Sequence, residues 1–252
     1  MALQVHGVDQ ASAIAKVKSD PTNADLRIGL FRLFAITGQW DRAVTQLTTA
    51  MELKSENALY AKTFLACISC ERFRSEVFAG RKSPLFIGEP PGWAALMVQA
   101  LQGKSIVQKR ECWDSALHQA PMRSGQLNGD PFDWIADADS NLGPLLEAFI
   151  DGKYYWIAYA ELASIEYHEP GELIETVWQS AEITFSNGGT KTAYLPVRYF
   201  GSETNEDEQI VRGLKTQWDS LDEQYATGLG QRTLVTDQTE SPVLECRKIE
   251  FS

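Results

Sequence analysis

Four carboxylates crowd into the run Asp130-Pro-Phe-Asp133-Trp-Ile-Ala-Asp137-Ala-Asp139. At that density they can bind a divalent cation or work as an acid and base pair. The calcium pattern is incomplete. Asp137, Asp139 and Asn141 imitate positions 1, 3 and 5 of an EF-hand loop, but Leu142 stands where the sixth position needs glycine and Ala148 where the twelfth needs glutamate. Short acidic side chains also cap turns, which is their commoner use.

Other motifs fail on spacing or context. Cys67 and Cys70 have a metal-ligand spacing, yet no second Cys or His pair completes a four-ligand set, and the segment reads as helix, not as the strand-to-helix setting of a thioredoxin motif. Gly103-Lys104-Ser105 ends like a phosphate loop, but Val98 occupies the position of its first glycine. Gly228-Leu-Gly230-Gln-Arg-Thr233 lacks the third glycine of a dinucleotide site. There is no Gly-x-Ser-x-Gly elbow, and His6, His118 and His168 are scattered. No catalytic set, metal site or cofactor is expected.

The elements that would position these residues divide the chain by composition. Residues 1–125 carry a balance of +4 and residues 126–252 one of −15, within a net charge of −11. An acidic half repels phosphate backbones and anionic lipid, and the other half has no dense Lys/Arg stripe, so neither nucleic acid nor membrane is an expected partner. A protein partner fits better, and a basic one would complement the charge. No apolar run approaches a membrane span, and the first twenty residues lack a secretory pattern, so a soluble cytoplasmic protein with reduced thiols is expected.

Apolar residues recur at three and four from Leu26 to Met51 around a break at Thr37-Gly38-Gln39, which predicts a helical hairpin. Gly38, Trp40, Ala43, Leu47 and Ala50 fit the spacing of a tetratricopeptide unit, and Trp93, Leu96, Ala100, Trp113, Ala116 and Pro121 fit it more loosely. Residues 1–122 are therefore read as a helical, tetratricopeptide-like array, and 123–132 as a linker rich in Pro, Gly, Asn and Ser. Residues 133–252 are read as a small antiparallel β-sheet or barrel with one helix, from about Glu206 to Leu221. Hairpins are expected across Asp151-Gly152 and Ser186-Asn-Gly-Gly189. The fold class is α+β.

A set of ordered signatures resembles one family: Gly88-Glu-Pro-Pro91 with Trp93, the block Pro131 to Ser140 with Leu142-Gly-Pro144, Arg198-Tyr199 with Gly201-Ser-Glu203, and Gly228-Leu-Gly-Gln-Arg232. Over nearly the whole chain this is similar to the ImpE/SciE/TagJ family, encoded in many type VI secretion clusters; Phe200 stands where that pattern has proline. The resemblance implies a non-enzymatic cytoplasmic accessory protein. It would bind the small subunit of the contractile sheath through that subunit's N-terminal helix, with a link to a Clp-family ATPase made directly or through the sheath.

Stacked helical hairpins form grooves suited to such a helix, so the binding surface is expected on the 24–121 array or at its junction with the Pro131–Ser140 block. Phe132, Asp133, Trp134, Asp137 and Asp139 are the expected partner-binding residues. In the alternative reading of the same residues, Phe132, Trp134 and Ile135 plug the junction while the aspartates cap backbone amides. Trp40 and Trp93 read as core. The competing function is a metal-dependent hydrolase built on Asp133, Asp137 and Asp139.

Overall fold

The computed structural model describes residues 10–222 and 224–252; His6 lies outside them. Among the described residues the fold is α+β, with seven α-helices and a mostly antiparallel set of strands. The helical half holds α1 (Gln10–Ser19), α2 (Ala24–Ile36), α3 (Trp40–Leu53), α4 (Ala58–Phe78), α5 (Gly92–Gln102) and α6 (Ile106–Gln119). Asn23 starts α2 by accepting the amides of Asp25 and Leu26 at 3.1 Å each, and Ser105 caps α6 in the same way.

The turn between α2 and α3 has a long-range reason. Gly38 has φ +63°, and a Cβ there would lie 2.5 Å from Cγ of Glu203, so this glycine admits a loop from the other half of the chain. Gly38→Ala is expected to cost about 1 kcal/mol for the left-handed backbone alone. The clash adds to this, and a simultaneous Glu203→Ala change, which removes Cγ but keeps a Cβ 3.0 Å away, returns part of that added cost in thermal unfolding.

The β-rich half begins earlier than composition suggests. Where 123–132 reads as a linker, the chain forms β1 (Gly125–Leu127) and β2 (Asp130–Phe132), a hairpin turning at Asn128-Gly129 with φ of +54° and +96°. The turn formers therefore serve a tight reversal, and Pro131 sits on an edge strand where its missing N–H costs nothing. Then follow β3 (Ile135–Asp137), β4 (Leu145–Ile150), β5 (Lys153–Ala158), β6 (Leu162–Tyr167), β7 (Trp178–Phe185) and β8 (Thr190–Pro196). The expected hairpins are present: β4 and β5 join through Asp151 and Gly152, both at positive φ, and β7 and β8 through Ser186–Gly189.

The helix expected over 206–221 is not formed. One turn, α7 (Glu208–Val211), ends at Gly213 with φ +65°, and the chain continues as β9 (Thr216–Ser220), paired with β10 (Ala226–Gly230). The helical spacing of Ile210, Leu214, Trp218 and Leu221 is overridden by cross-strand pairing. The chain closes with β11 (Thr233–Thr236), β12 (Glu240–Pro242) and β13 (Lys248–Phe251), with a 3-10 turn over Val243–Glu245 before the last strand.

One eight-stranded sheet in the order β2-β1-β13-β6-β7-β8-β4-β5 lies between two layers, and a three-stranded sheet in the order β12-β11-β3 stands beside it. Every residue of β4 is buried, and its apolar side chains alternate between two cores. Leu145 and Phe149 join the core shared with the helices, whereas Leu146, Ala148 and Ile150 join the core on the opposite face. The first core draws Phe31, Leu47 and Met97 from the helices together with Trp156 and Trp178 from the sheet. Trp93 and Trp113 are buried within it, and Trp40, half-buried, stacks on Trp178 at 5.8 Å. Phe200, at the position of the family's proline, stacks on Phe78 at 5.0 Å.

Candidate partner-binding site

The block from Pro131 to Ser140 passes from β2 into β3 and then into a turn closed by its own aspartates. Asp139 accepts the amide of Asn141 on one oxygen at 2.7 Å and the amide of Gly228 on the other at 2.7 Å. Asp137 accepts the amide of Asp139 at 2.9 Å and the Tyr199 hydroxyl at 3.0 Å, while its second oxygen receives Nε and Nη2 of Arg232 at 2.9 and 2.6 Å. Both carboxylates are buried.

The expected residues separate. Phe132 is buried edge-on against Phe251, and Asp133 is exposed in a depression of about 530 Å³ that it shares with Asp130, Asp237 and Thr239. Trp134, Asp137 and Asp139 instead line a second, more apolar cleft of about 410 Å³. Its far wall is the end of α6 and the segment after it, Leu117, Ala120, Pro121 and Met122; Pro144, Tyr225 and Val235 complete it. Met122 is 81% exposed and Leu117 43%, which leaves apolar surface open to water at the junction of helices and sheet. Among the described residues no three His, Cys, Asp or Glu side chains are placed to hold a metal. Asp133, Asp137 and Asp139 do not converge on one centre, because Asp137 is taken by Arg232 and Asp139 by backbone amides.

Behind the cleft lies a buried ionic junction that sequence reasoning missed. Glu147 interrupts the apolar run of β4 and faces the helices with Leu145 and Phe149. There Arg74 of α4 meets it in a bidentate pair, Nε to Oε1 at 2.6 Å and Nη2 to Oε2 at 2.8 Å. Tyr154 donates to the same carboxylate, and Arg232 approaches it at 3.4 Å. Glu71 accepts the Trp178 indole at 2.8 Å and Arg74 at 3.4 Å. Arg198, from the Arg-Tyr signature, donates to the carbonyl of Ile36 at 2.6 Å and so closes the C-terminus of α2. The signal for this network was the lone glutamate in Leu-Leu-Glu-Ala-Phe-Ile; its two arginines carry no local mark.

Arg74 and Arg232 answer Glu71, Glu147 and Asp137, while Asp139 is held by backbone amides. Burial would raise the Glu147 carboxyl, but Arg74 and Arg232 outweigh it and hold it below the ordinary range. Burial, with the Asp137 charge beside it, pushes Asp139 up to about 7 against the two amides that favour its ionised form. Below about pH 4 folded and unfolded states both carry this proton, and between about pH 4 and 7 only the folded state keeps it. The group's stabilising contribution is thus greatest in acid and is lost as pH rises through 7.

Asp139→Asn abolishes this titration and sets an amide N–H₂ against one of the backbone N–H donors, so the variant is less stable in acid. The gap between wild type and variant narrows as pH rises, by up to about 1.4 kcal/mol per unit between pH 5 and 7. Urea unfolding at several pH values reads it directly. A constant gap would mean that Asp139 is ionised throughout.

The model of the ImpE protein family matches residues 129–250. The type VI secretion system accessory component TagJ of Pseudomonas aeruginosa is 39% identical over 242 residues, which covers 94% of this chain and 84% of that protein. A crystal structure of a Vibrio parahaemolyticus protein superposes with a TM-score of 0.87 over 96% of this chain and 92% of that one. Its 21% identity makes that a likeness of fold.

Proposed function

This chain belongs to the ImpE protein family, and from that premise we propose that it is a non-enzymatic accessory protein of a type VI secretion system whose junction cleft receives the N-terminal helix of the small contractile-sheath subunit. The observation that carries the reading is the open apolar cleft between α6 and β3, with Met122, Leu117 and Trp134 at its mouth. An amphipathic helix binds such a surface by inserting anchors spaced three and four apart. The acidic character of residues 126–252 favours a helix with basic flanks.

The helical half, α1 to α6, is tetratricopeptide-like and works against the β-rich half that begins with β1. The protein acts in the cytoplasm, and its link to a Clp-family ATPase runs directly or through the sheath. It needs no cofactor, and it engages neither nucleic acid nor membrane; among the described residues no helix is long and apolar enough to cross one.

Size-exclusion chromatography of the full chain with the cognate small sheath subunit tests the reading. The two are expected to elute as a complex, and removal of the subunit's N-terminal helix is expected to abolish it. A complex that survives the removal would refute the mechanism.

A further inference from the structure

The sheets of this protein protect most of their edges. Leu85 covers β5, donating its amide to Tyr154 at 3.1 Å and accepting that of Trp156 at 2.9 Å. Pro131 blunts β2, Pro242 blunts the three-residue β12, and β3 spends the Asp137 amide on the Gly143 carbonyl. The exception is β9. It pairs with β10 alone among the described residues, and Gln217, Trp218, Asp219 and Ser220 are all exposed.

The ladder fixes which backbone groups are free to pair. Leu221 donates to Tyr225 and Gln231 to Lys215, so residues 215, 217, 219 and 221 point at β10, and the amides and carbonyls of Thr216, Trp218 and Ser220 point outward. The strand contains no proline, lysine or bulge to discourage a second strand.

We propose that β9 pairs with β9 of a second copy of this chain, antiparallel and in register about Trp218, to give a four-stranded sheet across a two-fold axis. The five residues are self-complementary in that register. Trp218 lies opposite the second copy's Trp218 in backbone register, each ring folded back onto Tyr199 of its own chain at 5.5 Å, while Thr216 meets Ser220 and Gln217 lies opposite Asp219. The lone carboxylate of the strand thus faces an amide donor. A partner strand from another protein would not be held to this register.

Gln217 is exposed and its changes leave the β10 ladder intact, which makes it the site for the test. Sedimentation velocity of the full chain is expected to show reversible dimers at concentrations on the order of 100 µM. Gln217→Lys places a cation opposite Asp219 twice and is expected to tighten the dimer by about threefold or more, whereas Gln217→Asp places like charges opposite twice and weakens it as much. Ser220→Pro, which deletes an outward N–H only, also weakens it, with the circular dichroism spectrum unchanged. A chain that stays monomeric throughout, or Gln217 variants that shift association in the same direction, would overturn the proposal.

Discussion

Arg74→Met is expected to lower the free energy of unfolding by about 3–5 kcal/mol, the largest loss of any single change discussed for this chain. The change leaves Glu147 with only the 3.4 Å approach of Arg232 and the Tyr154 hydroxyl, and Glu71 with only the Trp178 indole, all of them buried. A carboxylate stripped of its guanidinium in such a place costs more than the pair gained when it formed. Removal of both charges should therefore be milder than removal of one. In the double variant Arg74→Met, Glu147→Leu, Arg232 keeps Asp137 and β4 gains an apolar side chain, so much of the loss should return. Urea denaturation of the two single variants and the double gives the coupling. A single-variant cost below about 1 kcal/mol would mean that water reaches the junction.

Met122→Glu is expected to weaken sheath-subunit binding by about tenfold or more while the melting temperature stays unchanged. The side chain is 81% exposed, so the fold does not depend on it, but it stands at the mouth of the cleft where an incoming helix would bury it. The added carboxylate would have to be desolvated in the complex. Trp134→Ala should weaken binding in the same direction. Asp137→Asn behaves differently, because it loosens the Arg232 pair, and stability and binding fall together.

Local pattern was enough to read the hairpins at Asp151-Gly152 and Ser186–Gly189, the α2–α3 hairpin and the α+β class, since each rests on turn chemistry or on periodicity within a short window. Two segments were misread for the same underlying reason. In 123–132 turn-forming residues close a strand hairpin, and in 206–221 helically spaced apolar residues are claimed by β10, because partners distant in sequence decide both. The Asp-rich block was visible, but the division of labour within it was not. Phe132 packs in the core, Asp133 faces a separate depression, and Asp137 and Asp139 are fixed by Arg232 and Gly228 from far along the chain. The cleft itself needed Leu117 and Met122 from one half and Trp134 from the other, and no local spacing announces such a meeting.

Calorimetric titration of the full chain and of its Met122→Glu variant with a peptide spanning the N-terminal helix of the cognate small sheath subunit reads occupancy of the cleft. Micromolar or tighter binding is expected of the wild type, on the order of −8 kcal/mol, with its loss in the variant. No binding by the wild type, or equal binding by the two proteins, would contradict it.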